Sequence, residues 1–150
     1  LARQAGGLTI AGNTLTHLVT GISFFANCVS PADSSNNVVK SNKISEAIDG
    51  IDVTAIGGFA GACDPHVDNY VITGNKIVND QRDPLDFGLS GIQFDIRGSG
   101  GGQAFALNET VRGNTITFFV VGVQTLPQAG GTITGTFDPN RVVLAPPPTI

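Results

Sequence analysis

The sequence lacks Met and Trp entirely and has a single Tyr, Tyr70. The missing Met extends to residue 1, a Leu, so the chain reads as a processed product or a piece of something longer. With no Trp and one Tyr, it is short of the rings that most readily stack on sugar faces. Charge is scarce: only 13% of residues are charged, with 8 Lys and Arg against 12 Asp and Glu, a net of −4. There is no basic run, which excludes a nucleic-acid surface. The longest apolar stretch lies near Phe118–Val121. A bilayer span needs about 20 residues, so no membrane insertion is expected. His17 and His66 have no Cys or carboxylate at zinc-ligand spacing. No Gly-x-Ser-x-Gly elbow is present. Gly98-Ser99-Gly100-Gly101-Gly102 opens no helix and reads as a loop, not a phosphate cradle. Low charge does not mean disorder here: 41% of the 150 residues are hydrophobic, enough for the core of one domain.

What the sequence does have is a repeat. The segments LTIAGNTL, VVKSNKI, VITGNKI and TVRGNTI place Asn13, Asn42, Asn75 and Asn114 at one phase, and a weaker copy, TFDPNRV, adds Asn140. The anchors stand 29, 33, 39 and 26 residues apart. The first four copies run on to Gly21-Ile22, Gly50-Ile51, Gly91-Ile92 and Gly122-Val123. A drifting period of this size signals stacked units.

Each copy has an apolar residue three before the Asn (Ile10, Val39, Ile72, Val111, Phe137) and another two after it (Leu15, Ile44, Ile77, Ile116, Val142). The residue after the Gly and the one two further on (Phe24, Val53, Phe94, with Thr125 last) keep a spacing of two, the strand period. Each unit therefore supplies several short strands, and no single unit closes a core. Parallel stacking buries each inward column against itself. A turn between strands leaves backbone groups pointing along the stack. An Asn amide, with donors and an acceptor, satisfies both those groups and the next Asn. Asn also tolerates the left-handed conformation such a turn requires. The Asn column thus reads as a structural ladder.

The N-x-I … G-I rhythm resembles the right-handed parallel β-helix repeats of the pectin-lyase-like superfamily, across about residues 8–144. That group includes polysaccharide lyases, mannuronan epimerases, phage tailspikes and many surface proteins. The resemblance implies an all-β fold, a single-stranded right-handed parallel β-helix (solenoid) of about five coils. The domain would span 1–144, as part of a larger protein or assembly, with 145–150 a Pro-rich tail that cannot extend a sheet.

The repeat also serves as a ruler. Cys28 lies 14 residues before Asn42 and Cys63 lies 12 before Asn75, at similar phases of adjacent units. Adjacent strands lie roughly 5 Å apart, within disulfide reach, which favours a Cys28–Cys63 bridge over two free buried thiols. A bridge implies an oxidising compartment. The Asn-to-Gly interval is 8, 8, 16 and 8, so the third unit carries an eight-residue insertion within Val78–Ser90. Asn108-Glu109-Thr110 is a glycosylation sequon, relevant only to a eukaryotic secreted protein.

Two sets of residues carry candidate chemistry. If Ile22, Ile51, Ile92 and Val123 face inward, Ser23, Asp52, Gln93 and Gln124 face out. Thr54, Asp95 and Arg97 follow along the same strands. In β-helix lyases a comparable face holds calcium-binding carboxylates and an Arg that removes a proton. Ca²⁺ is therefore the one cofactor this face suits, and none is required. Asp52, Gln93, Asp95 and Arg97, with Arg82 from the insertion, are the candidate substrate-binding residues. The plainer reading is a solvated polar strand surface. The second set is Cys63-Asp64-Pro65-His66. Alginate epimerases of this fold carry Asp-Pro-His, preceded two residues earlier by a Tyr. Asp64, Pro65 and His66 match, but Ala62 holds the Tyr position. Asp64 and His66 are the candidate catalytic pair, with Arg82 or Arg97 neutralising a uronate carboxylate. Asp-Pro is equally a turn starter.

The expected function is a noncatalytic extracellular or surface β-helix module, structural or polysaccharide-binding, self-associating through open ends. Its partners would be polysaccharide or protein subunits. The alternative is a polysaccharide lyase or uronate epimerase acting around Asp64 and His66. Five units make a stack only about 24 Å long, room for few sugars, which favours the first.

Overall fold

The computed structural model describes residues 2–3, 6–28, 34–58, 63–79 and 89–144. Among them every regular element is a strand: β1 (Ala2–Arg3), β2 (Thr9–Ala11), β3 (Thr14–Asn27), β4 (Val38–Lys40), β5 (Lys43–Ile56), β6 (Val71–Thr73), β7 (Lys76–Val78), β8 (Ser90–Arg97), β9 (Ala104–Arg112), β10 (Thr115–Phe119), β11 (Val121–Pro127), β12 (Gly131–Thr136) and β13 (Arg141–Leu144). The fold is all-β, and every strand pairing is parallel.

One sheet runs β1-β3-β5-β7-β10-β13, with β8 on β5 and β11 on β8. The other runs β12-β9-β6-β4-β2. The register follows the sequence repeat. Leu15, Ile44, Ile77, Ile116 and Val142 form one column. Ile22, Ile51, Ile92 and Val123 form another, and Ile10, Val39, Ile72 and Val111 a third. The middle members of these columns are fully buried. β3 and β5 each run through the repeat without a break, whereas β7 and β8 are separated by the insertion. The insertion's residues 80–88, Arg82 among them, lie outside the described residues, as do Ala62 and the tail 145–150.

The Asn ladder is continuous. The backbone N and Nδ2 of Asn13 donate to Asn42 Oδ1, both at 3.0 Å, and Asn42 repeats this on Asn75. Asn75 does the same on Asn114, and Asn114 on Asn140, at 2.9–3.1 Å. Each Nδ2 from Asn42 onward also reaches back to a carbonyl of the preceding repeat: Ile10, Val39, Ile72 and Val111. One expectation is corrected. The left-handed residue of this turn is the one before the Asn: Gly12, Ser41, Gly74 and Gly113 have φ of 69°, 54°, 65° and 66°. The positive φ falls where a missing or short side chain tolerates it, which leaves the Asn free to bond along the row.

The repeat's Gly is there for space. A Cβ on Gly21 would lie 2.5 Å from the Gly50 carbonyl oxygen and 2.6 Å from Ile44 Cγ2. On Gly91 it would lie 2.7 Å from the Gly122 carbonyl oxygen. Neighbouring repeats approach too closely at this corner for any side chain.

Aromatic rings pack edge-to-face through the interior: Phe24 on Tyr70 at 4.9 Å, Tyr70 on Phe94 at 6.5 Å, Phe94 on Phe137 at 5.7 Å. The only Tyr is thus a core residue whose hydroxyl lies 2.9 Å from Ser34 Oγ. Cys28 and Cys63 form a disulfide with Cα atoms 5.7 Å apart, as their matching phases led us to expect. No helix among the described residues is long and apolar enough to cross a membrane.

Candidate functional site

The polar strip exists on the face formed by β3, β5, β8 and β11. Parallel register aligns Ser23, Asp52, Gln93 and Gln124 in one row and Phe25, Thr54, Asp95 and Leu126 in the next. Alternation puts these side chains opposite the buried Ile and Phe columns. The strip is less solvated than a bare strand surface would be: Thr54 and Asp95 are buried. Each has polar side-chain partners nearby. Thr54 Oγ1 donates to Asp52 at 3.1 Å, and Gln93 Nε2 approaches the same carboxylate at 3.5 Å. Arg97 pairs with Asp95 Oδ2 at 2.6 Å, and Gln128 Nε2 donates to Asp95 Oδ1 at 3.1 Å. The Ser90 hydroxyl lies 2.8 Å from Gln124 Oε1 and 3.2 Å from Gln93 Oε1.

Burial pushes the Asp52 carboxyl up to about 6, with the charges of Asp49 and Asp95 adding to it and hydrogen bonds from Thr54 and Gln93 opposing it. Burial likewise raises Asp49, against a backbone hydrogen bond from Ser90. Four of the five candidate substrate-binding residues, Asp52, Gln93, Asp95 and Arg97, therefore come together on this face. Ser90, Gln128 and Asp49 join them. Residue type and offset pointed to the four. Ser90 and Gln128 lie outside the alternation that found them.

Asp64 and His66 form a separate place, in the segment between β5 and β6. That segment lies between residues 34–37 and 103–107: Ser34 N donates to the His66 carbonyl, and Phe105 N to that of Pro65. Asp64 Oδ1 accepts from Gln103 N at 2.8 Å. His66 Nδ1 lies 2.8 Å from Asp68 Oδ2, and its ring stacks on Phe105 at 4.8 Å. The other Asp68 oxygen accepts from Leu107 N at 2.9 Å. Among the described residues no hydrogen bond or ion pair joins Asp64 or His66 to the polar strip, so Arg97 is not brought to them. Nor does any group of three or more His, Cys, Asp or Glu among the described residues suit a metal ion.

A third feature escaped sequence reasoning. Glu109 is buried, and its Oε2 accepts from Tyr70 N at 2.9 Å. Its Oε1 has no partner. Burial, with the Asp68 charge adding, pushes its carboxyl up to about 9 against hydrogen bonds from Tyr70 and Asn69 backbone. Asn37 holds the same place two repeats earlier, accepting from Leu8 N at 2.9 Å.

No protein-family model, no curated protein and no solved structure matches this chain.

Proposed function

We propose that the repeats form a right-handed parallel β-helix of the pectin-lyase-like kind, and that the chain is a noncatalytic structural module of an extracellular or surface protein. The in-register columns and the Asn ladder support the solenoid reading. The disulfide supports a non-cytosolic setting.

The observation that carries the noncatalytic reading is that the candidate acid–base pair, Asp64 and His66, and the candidate neutraliser, Arg97, have separate partners. Asp64 ties its segment to Gln103, and His66 is held by Asp68, which itself binds Leu107. Proton abstraction beside a uronate carboxylate also needs a neutralising cation, and Arg97 is paired with Asp95 on another face. Charge points the same way. A uronate polymer is a polyanion, whereas Arg97 is neutralised by Asp95 and Asp49 and Asp52 lie on the same face. A neutral glycan lying across Ser23, Asp52, Gln93 and Gln124 fits that row better, through amide and carboxylate hydrogen bonds.

A glycan array combined with a lyase assay on uronate polymers, with and without Ca²⁺, tests this. The expected result is no unsaturated product, and any neutral-glycan binding weakened by Gln93→Ala and Gln124→Ala. Unsaturated product that disappears in both Asp64→Asn and His66→Ala would establish the enzyme instead.

A further inference from the structure

We propose that the outer side of the Asn-ladder turn is a cationic ridge that binds a linear acidic polysaccharide, through carboxylate or sulfate groups repeated along the polymer. The ridge stands independently of any reading of the polar strip.

The turn that buries each ladder Asn sends the residues beside it outward. Lys40 and Arg112 stand two before a ladder Asn, and Lys43, Lys76 and Arg141 stand one after. Parallel register sets Lys43 directly beside Lys76. It places Lys40 and Arg112 two strands apart with Thr73 between them, and Lys76 and Arg141 two apart with Thr115 between. All five cationic residues are exposed. Five of the chain's 8 Lys and Arg therefore gather at one turn, although the net charge is −4. Of the 12 Asp and Glu, only Asp138 stands at either offset. Among the described residues no ion pair involves any of the five. Glu46, the next acid along β5 after Lys43, is taken by His17.

The physical consequence is a row of positive charge that nothing in the fold uses. Strands about 4.8 Å apart spread it over about 14 Å, from the repeat of Lys43 to that of Arg141. Neighbouring cations fall within about one Debye length, roughly 10 Å at 0.1 M salt, so their fields add. Like charges set directly opposite each other destabilise a sheet. Lys43 and Lys76 are such a pair, and a bound polyanion removes their repulsion.

The chemistry around the cations selects the partner. The row runs across the strands, so it suits a linear polymer with repeated charge rather than a single anion. Thr73, Thr115 and the exposed Ser41 stand among the cations and offer hydroxyls to sugar hydroxyls. From two before each ladder Asn to one after it there is no aromatic ring, so nucleic-acid bases have nothing to stack on. Those positions also hold no large apolar side chain to enter a lipid headgroup layer. No His and only one acid stand there, so the ridge holds the polymer without an acid–base pair to cut it.

Biolayer interferometry on immobilised dextran sulfate, polygalacturonate and neutral dextran tests the proposal. Wild type should bind at least one acidic polymer but not neutral dextran, and more weakly as salt rises. Which acidic polymer responds names the charged group. Lys43→Gln/Lys76→Gln and Lys40→Gln/Arg112→Gln should each weaken binding about tenfold at low salt. Lys43→Arg/Lys76→Arg should bind as wild type does. Failure to bind either acidic polymer at low salt would overturn the proposal, as would equal binding to neutral dextran or binding that both Gln pairs leave unchanged. Tighter binding to phosphatidylserine vesicles or to single-stranded DNA, lost in the same variants, would overturn it in favour of that partner. Circular dichroism checks folding, and Lys43→Gln and Arg141→Gln singly carry the same test if a pair unfolds.

Discussion

Asn114 Oδ1 accepts from its earlier neighbour in the ladder: Asn75 donates to it twice, from its backbone N at 3.0 Å and from Nδ2 at 2.9 Å. Asn114 in turn donates to the Ile72 carbonyl and to Asn140. One buried amide thus serves three repeats.

Asn114→Ala should strand the Asn75 N–H and the Ile72 carbonyl away from water. Each unsatisfied buried group costs about 1–3 kcal/mol, so a loss of about 3 kcal/mol or more is expected. Asn13→Ala, at the exposed end, should cost under about 1 kcal/mol. Urea denaturation of the two variants measures the contrast. Equal losses would mean that the ladder does not gain its strength from burial.

The Gly column makes a steric prediction. Gly91→Ala places a Cβ 2.7 Å from the Gly122 carbonyl oxygen, a backbone atom with no rotamer to escape by. Overpacking of this kind costs about 1–3 kcal/mol. The expected outcome is a lower melting temperature, or failure to fold. A Gly91→Ala protein melting with wild type would show that the repeats separate at this corner without loss.

Much of this architecture was legible because a single residue type does a single job in each repeat. Only Asn bonds along the ladder in this way, only Gly fits the close corner, and the three Ile two past a ladder Asn, Ile44, Ile77 and Ile116, are all buried. Where different residues share one job, the sequence is silent. His17, Glu46 and Phe118 all sit four past a ladder Asn with φ of 57°, 57° and 64°, yet share no chemistry. Asn37 and Glu109 both accept a backbone N–H from the preceding repeat, and nothing in their types says so. A second left-handed column was readable and went unread: Gly7, Asn36, Asn69 and Asn108, each six before a ladder Asn, have φ of 71°, 61°, 59° and 62°. At the candidate site, Asp64 and His66 stood out by motif. That their polar atoms hold neighbouring strands depends on pairing across 39 residues, which no local pattern reveals.

The disulfide gives a third prediction. Cys28 and Cys63 are separated by 35 residues. Closing a loop of that size in the unfolded chain is worth about 4 kcal/mol in the entropy model. Reduction should lower the urea midpoint accordingly, with the slope also changed because the unfolded chain expands. Two free thiols in the native, unreduced protein would remove the bridge.

Glu109 makes stability depend on pH, with a sign opposite to that of a salt-bridged carboxylate. In the unfolded chain its carboxyl ionises near the ordinary 4.5, whereas burial holds it protonated up to about 9 in the folded protein. Between those values the folded state carries one proton more than the unfolded state. Stability is therefore full below about pH 4.5 and falls as pH rises toward 9, by at most about 1.4 kcal/mol per pH unit. Asp52, also raised, to about 6, contributes the same sign over a narrower window, so wild type alone does not isolate Glu109. Glu109→Gln keeps the shape and an oxygen for the Tyr70 N–H but has no proton to lose. The Asp52 contribution is common to both proteins and cancels in the difference. The variant should gain on wild type steadily from pH 5 to pH 9, read as a widening gap in urea midpoints. Parallel profiles would mean that the Glu109 carboxyl is solvated and ionises normally in the folded chain.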